Sequence, residues 1–133
     1  MTFELSDYTR SETATRLGID NTPSQEVIDN LKLWHTKIRE PLEYKLGTGL
    51  FILSGYRSLR LNRTLGSSDK SQHILGLAGD FIVNGYTATD LYRWILDKTE
   101  LPFDQLILEY PKKGGWVHCS YSKKPRKQNF IIE

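Results

Sequence analysis

Two histidines and one aspartate are the residues of this chain whose types and spacing best suit a metal ion. His73 and Asp80 are seven residues apart, and the glycines between them allow the chain to turn sharply. His118 lies in a segment that predicts a strand, which an antiparallel sheet can bring beside Asp80. Imidazole and carboxylate ligands suit Zn2+, and a catalytic site keeps a fourth position for water. We therefore predict one Zn2+ ion bound by His73, Asp80 and His118.

A hydrolytic zinc site also needs a group that accepts a proton from water and delivers it. Glu109 ends the predicted strand that precedes the strand of His118. A hairpin of these two strands would place the Glu109 carboxylate near the metal without making it a ligand. We predict Glu109 as the catalytic base, and the alternative is a solvated glutamate at a strand end.

Arg57 and Ser71 are the other candidates for a role in the site. Arg57 follows the first predicted strand and would offer a fixed positive charge to a substrate carboxylate or a developing oxyanion. The alternative is an ion-pair partner that packs on Tyr56. Ser71 either hydrogen-bonds substrate or caps the turn that leads to His73.

Short apolar runs bounded by Gly, Pro and Asn predict the strands that would position these groups. The predicted strands are 50–53, 77–83, 105–109 and 116–121, with 129–132 as a further edge strand. Apolar spacing predicts one helix from Ser24 to about Leu42, kinked or shortened at Pro41, and another from Thr87 to about Lys98. Residues 1–23 predict an irregular leader packed on the domain, and residues 59–72 predict a polar segment with a mobile loop. This order is typical of an α+β domain with a small antiparallel sheet and flanking helices.

Composition limits the size, partners and location of the protein. A chain of 133 residues with 38% apolar residues predicts a single domain over 1–133. A net charge of +2 gives no indication of nucleic acid as a partner. Cys119 is the sole cysteine, which excludes an internal disulfide and multi-cysteine zinc sites. Acidic residues at the amino terminus and the lack of a long apolar run predict no signal peptide, no membrane span and synthesis in the cytoplasm.

The segment 71–80 reads Ser-x-His-x-x-Gly-x-Ala-x-Asp and resembles the motif of the zinc D-Ala-D-Ala carboxypeptidases and dipeptidases. The segment 54–58, Ser-Gly-Tyr-Arg-Ser, is similar to another segment of that family, in which the arginine contacts substrate. With residues 13–23, these segments resemble the short phage- and prophage-encoded members over nearly the whole chain. The resemblance implies a fold like that of the hedgehog signalling domain and the D-Ala-D-Ala peptidases, with zinc on His73, Asp80 and His118.

One position departs from that pattern. Several relatives carry their catalytic acid three residues before the last ligand, where this chain has Gly115. In the shorter phage-like members a glutamate closes an Asp-Gln-Leu-Ile-x-Glu strand, which residues 104–109 resemble. The resemblance therefore also implies Glu109 as the base.

The function implied by the resemblance is that of a monomeric zinc metallopeptidase that hydrolyses a peptide bond in peptidoglycan stem peptides. It would act as a D-Ala-D-Ala carboxypeptidase or an endolysin-like endopeptidase, and a free D-amino-acid dipeptide is a second possible substrate. The alternative is a catalytically inactive, zinc-containing structural or wall-binding module of a phage. A phage lysin without an export signal would be released by a holin or carried on the phage particle.

Overall fold

The computed structural model describes residues 2–133, which form a mixed five-stranded sheet and six α-helices. The strands are β1 (Phe51–Ser54), β2 (Ala78–Ile82), β3 (Phe103–Glu109), β4 (Trp116–Tyr121) and β5 (Gln128–Ile132). The α-helices are α1 (Leu5–Thr9), α2 (Glu12–Leu17), α3 (Gln25–Trp34), α4 (Glu40–Leu46), α5 (Leu59–Thr64) and α6 (Ala88–Lys98). Every helix in this part of the chain is too short or too polar to cross a lipid bilayer. The α+β class is confirmed.

The sheet has the strand order β1-β2-β4-β3-β5. The pairs β1/β2, β2/β4 and β3/β4 are antiparallel, as predicted, whereas β5 is parallel to β3. The prediction of a wholly antiparallel sheet was therefore wrong for its last strand. Because the chain reverses direction after β4, β5 runs in the direction of β3, and it pairs with the free edge of β3 rather than with β4.

The first predicted helix is longer than expected. It begins after Ser24, whose side chain accepts a hydrogen bond from Val27 N, and it continues through α4 to Leu46. The helix does not end early at Pro41, and a π-helical segment, His35–Arg39, precedes α4, whose second residue is the proline. A π segment widens the hydrogen-bonding pattern, so the helix tolerates a proline that lacks an N–H group.

Two segments expected to be irregular contain short helices. The leader, residues 1–23, includes α1 and α2, and Ser11 caps α2 by accepting a hydrogen bond from Ala14 N at 3.1 Å. The polar segment 59–72 includes α5, which Ser58 caps in the same way. Hydrogen bonds from the Asn21 side chain to Tyr56 O and from Ser58 N to the Asn21 side chain tie the leader to the chain around Arg57.

The main hydrophobic core lies between the sheet and the helices α3, α4 and α6. Trp34 on α3 is 1% exposed, and its indole N–H donates to Cys119 O on β4 at 3.0 Å. Buried core residues with almost no exposure include Ile38, Leu42, Phe81, Ile95, Leu106 and Val117. This packing buries one face of β2 and β4, the strands that carry Asp80 and His118.

Candidate metal centre and active site

Strand register brings two of the three predicted ligands together. Asp80 on β2 is the direct partner of His118 on β4, and side chains opposite each other in an antiparallel pair lie on the same face of the sheet. His118 Nδ1 is 2.8 Å from Asp80 Oδ1. The pair therefore presents an imidazole and a carboxylate side by side.

His73 reaches this pair from the loop between α5 and β2. The loop turns at Gly76, which has a φ of +76°, a conformation that suits glycine. His73 Nδ1 is 2.6 Å from Gly55 O, so it carries the proton and donates it to that carbonyl. The free lone pair is then on Nε2, which lies 3.3 Å from Asp80 Oδ1. A backbone carbonyl that orients an imidazole in this way is typical of metal-binding histidines.

The three side chains fit the donor set of a zinc site. One nitrogen from each histidine and one oxygen of Asp80 all lie within 4.8 Å of one another, and all three residues are buried. Two imidazoles and one carboxylate are ligands that Zn2+ accepts, and three protein ligands leave a coordination position open. The arrangement can hold one metal ion.

Burial and charge set the protonation states of this cluster. Burial lowers the pKa of His73, which keeps its imidazole neutral as metal binding requires. Burial alone would raise the pKa of Asp80, but the imidazoles beside it, with a hydrogen bond from His118, hold it well below its ordinary value. Asp80 is therefore an ionised carboxylate at neutral pH.

Glu109 lies beside the cluster and is not part of it. Its Oε2 is 3.9 Å from His118 Nδ1, and its side chain is 18% exposed. Burial and the charge of Asp80 raise the pKa of the Glu109 carboxyl. The predicted hairpin of β3 and β4 is present, and it pairs Glu109 with Trp116 at the ends of the two strands.

Gly115 occupies the position at which several relatives carry an acid, and the local backbone excludes a side chain there. A Cβ atom on Gly115 would lie 2.3 Å from Glu109 O and 2.8 Å from Tyr110 O, which are backbone atoms that cannot move aside. The turn before β4 is therefore incompatible with any carboxylate at position 115. Among the described residues that line the cleft, the carboxylates are those of Asp80 and Glu109.

A comparison with protein families gives one match, to a family described as peptidase M15, over residues 1–120. The chain belongs to the peptidase M15 family. The resemblance to the zinc D-Ala-D-Ala carboxypeptidases is thereby confirmed at the level of the family, which is zinc-dependent in general. A comparison with curated proteins found no match.

Arg57 in this M15 chain is held by three protein partners. Its Nε donates to Ser54 Oγ at 3.0 Å, Nη1 to Asn62 Oδ1 at 3.3 Å, and Nη2 to Asp80 Oδ2 at 3.3 Å. Arg57 therefore does form an ion pair, and its partner is Asp80. Because the side chain also faces the cleft and is 15% exposed, its role toward substrate stays a prediction.

Ser71 makes the contact expected of a turn-capping residue. Its Oγ accepts a hydrogen bond from His73 N at 3.2 Å, which fixes the start of the loop that carries His73. Ser71 also lines the cleft, so contact with substrate stays a prediction for this residue as well.

The cluster of His73, Asp80 and His118 opens into a cleft of about 410 Å3. Its floor is one face of the sheet, formed by alternate residues of β3 and β4: Gln105, Ile107, Glu109, Trp116 and His118. A larger groove of about 660 Å3 lies between Glu40, Tyr44 and Thr48. The smaller cleft is the candidate active site because it contains the cluster that can hold a metal.

Sequence reasoning missed several residues of the cleft. Two-residue alternation back from Glu109 could have placed Gln105 on the same face of the sheet as Glu109. No sequence signal indicated Arg126, which lines the cleft and contacts Asp104 across 22 residues of chain.

Proposed function

We propose that this protein is a zinc peptidase that hydrolyses a peptide bond in peptidoglycan stem peptides. The observation that carries the proposal is the position of Glu109, a carboxylate 3.9 Å from His118 Nδ1 and outside the set of three metal-binding side chains. Membership of the M15 family supports a peptide substrate from the cell wall. D-Ala-D-Ala carboxypeptidase activity and endolysin-like endopeptidase activity are the two forms of this function that the sequence resemblance implies.

His73, Asp80 and His118 would hold the ion. A Zn2+ ion bound there supplies Lewis acidity toward a water molecule and the scissile carbonyl. Glu109 accepts a proton from the attacking water and transfers it to the amine nitrogen as the C–N bond breaks, which is the work of a general base and acid. The raised pKa of Glu109 is consistent with both transfers.

Arg57 provides positive charge on the other side of Asp80. Its bond to Asp80 Oδ2 orients the carboxylate, whose other oxygen faces the two histidines. Arg57 is also positioned to offset negative charge on a substrate carboxylate or on the carbonyl oxygen during attack. Ser71 remains a candidate for a hydrogen bond to substrate at the mouth of the same cleft.

The missing acid at position 115 is the feature that favours a catalytically inactive module. Glu109 provides a carboxylate next to the metal-binding side chains by another route, which supports the enzyme. The sequence resemblance also implies a phage protein, released by a holin or carried on the phage particle.

Turnover assays test the proposal. Purified murein, a stem pentapeptide and free D-Ala-D-Ala would be incubated with the zinc-loaded protein, with and without a chelator, and the products identified by mass spectrometry. We expect cleavage of a peptide bond that stops with chelator and returns with added zinc. A protein that binds one zinc per chain and cleaves none of the three would be the inactive module.

A further inference from the structure

The carboxy-terminal segment 121–133 lies beyond the residues matched by the M15 family, yet it reaches the active-site cleft. Its strand β5 pairs with β3, and Gln128 is the partner of Gln105. Arg126 stands two residues before β5, and its side chain lines the same cleft as the metal-binding cluster. This chain therefore adds a cationic residue to the cleft from a segment outside the family match.

Asp104 holds Arg126 in a fixed orientation. Asp104 is 2% exposed, and its carboxylate accepts hydrogen bonds from Arg126 N at 2.8 Å, from Nη2 at 2.6 Å, and from Nε at 3.1 and 3.2 Å. Gln72, the neighbour of His73, donates a further bond to Asp104 at 3.1 Å. The Arg126 pair lowers the pKa of Asp104, so the anchor is ionised at neutral pH. An arginine held by its backbone and its side chain loses little further entropy when it binds a ligand.

Part of the Arg126 guanidinium remains free to bind. Its side chain is 52% exposed, and Nη1 donates no hydrogen bond to any residue in 2–133. Lys70 lines the same cleft, and its ammonium group makes no ion pair within the described chain. A guanidinium edge and an ammonium group that line the same cleft are donors that a carboxylate prefers.

The register of β3 gives the spacing along the sheet between the Asp104 anchor and the residue paired with His118. Ile107 on β3 is the partner of His118, and Gln105 is two residues further along, next to the Asp104 anchor. Two residues of strand span about 7 Å. An extended peptide covers a similar distance in about two residues.

We propose that Arg126 and Lys70 form a carboxylate-binding subsite that selects peptides with a free carboxylate about two residues from the cleaved bond. The subsite lies at the Gln105 end of the cleft, separate from Arg57 and the metal-binding residues. The position of the cleaved bond rests on the proposed function, but the preference for a carboxylate does not.

Peptide binding tests this subsite without requiring turnover. The protein would be zinc-loaded Glu109→Gln, which does not consume the peptide. Calorimetric titration would measure its binding of a stem pentapeptide and of counterparts in which a single carboxylate is converted to a carboxamide. Arg126→Gln, Arg126→Lys or Lys70→Gln would each be added to the Glu109→Gln protein and titrated in the same way. Lys123→Gln is the matched control, because this exposed lysine of the same segment is not part of the cleft.

We expect one carboxylate of the peptide to improve binding about tenfold over its carboxamide, because charge-assisted hydrogen bonds are the stronger kind. Arg126→Gln should reduce that ratio to within about twofold, and Lys70→Gln should reduce it partly, whereas Lys123→Gln should leave it unchanged. If Arg126→Gln fails to fold, Arg126→Lys keeps a charge beside Asp104 but loses the planar fork, and Lys70→Gln tests the subsite independently.

The outcomes separate this subsite from the proposed function. Selective binding of the carboxylate peptide by a protein that cleaves nothing would support the subsite and contradict the peptidase. A tenfold preference that survives in both Arg126→Lys and Lys70→Gln, or equal binding of all the peptides to the parent protein, would overturn the subsite even if the protein cleaves them.

Discussion

Asp80 and His118 face each other across β2 and β4, with 2.8 Å between Asp80 Oδ1 and His118 Nδ1. Because successive side chains of a strand point to opposite faces, a slip of one residue in this register would separate the pair. The surrounding core, with Phe81 and Val117 fully buried beside them, fixes the register. Two of the three predicted metal ligands are therefore placed by the buried centre of the sheet.

Asp80→Asn should abolish stable zinc binding. The substitution removes the negative charge that faces the metal position and both histidines. Loss of a residue that only hydrogen-bonds a metal ligand typically costs 10- to 100-fold in metal affinity, and loss of a ligand should cost more. We expect zinc content, measured by atomic absorption after dialysis, to fall from one ion per chain to nearly none. Asp97→Asn, an exposed aspartate on α6, is the matched control and should keep its zinc. Full zinc content in Asp80→Asn would place the metal elsewhere.

Arg57→Gln should weaken zinc binding without removing a ligand. Arg57 donates to Asp80 Oδ2, and its removal leaves that carboxylate less firmly oriented. We expect zinc affinity, measured by competition with a chelating dye, to fall about 10-fold. Arg60→Gln changes an exposed arginine on α5 and should have no effect. Equal affinities of the two variants would show that Arg57 does not support the metal site.

Gly115→Ala should destabilise the fold more than Gly114→Ala. The added Cβ at position 115 would meet Glu109 O at 2.3 Å, whereas position 114 has open space and only its φ of +77° to oppose a side chain. We expect a loss of about 1 kcal/mol for Gly114→Ala from backbone strain and about 3 kcal/mol for Gly115→Ala. Urea unfolding of both variants measures the difference. A Gly115→Ala protein as stable as the wild type would mean that an acid can be accommodated there.

The sequence predicted those helices and strands that are marked by neighbouring residues, such as a capping side chain or a short apolar run. Ser24 and Thr87 cap α3 and α6 as expected, and the strands around Asp80 and His118 lie close to their predicted positions. The sequence also predicted that His73, Asp80 and His118 lie together through the antiparallel pairing of β2 with β4, and that the β3/β4 hairpin brings Glu109 near His118.

The features that the sequence did not reveal depend on contacts between distant residues. Helices as short as α1 and α2 are marginal alone, and contacts such as the bond from Tyr56 N to Tyr8 O hold this part of the leader in place. The parallel pairing of β5 depends on which edge of the sheet is free, which no local pattern encodes. For the same reason the bond between Asp104 and Arg126 was visible only in the fold.

Asp104 should contribute to stability in a pH-dependent way. Hydrogen bonds from Arg126 lower the pKa of Asp104 in the folded protein. A carboxyl group with a lowered folded pKa stabilises the fold above its unfolded pKa of about 3.9 and loses this contribution as pH falls through the folded pKa. The wild type should therefore have a larger free energy of unfolding than Asp104→Asn at pH 6, and the difference between the two proteins should be smaller at pH 3. Urea unfolding at both pH values measures this gap, and a constant gap would contradict the role of the Arg126 pair.

If Glu109 is the base of a zinc peptidase, Glu109→Gln should lose turnover and keep its metal. Turnover of the stem peptide and zinc content would be measured on the same samples of wild type, Glu109→Gln and the control Glu100→Gln, an exposed glutamate outside the cleft. We expect Glu109→Gln to keep one zinc per chain and to lose at least about 100-fold in kcat, since general acid-base catalysis typically contributes that much. Turnover of Glu109→Gln at the rate of Glu100→Gln would show that Glu109 is not the base.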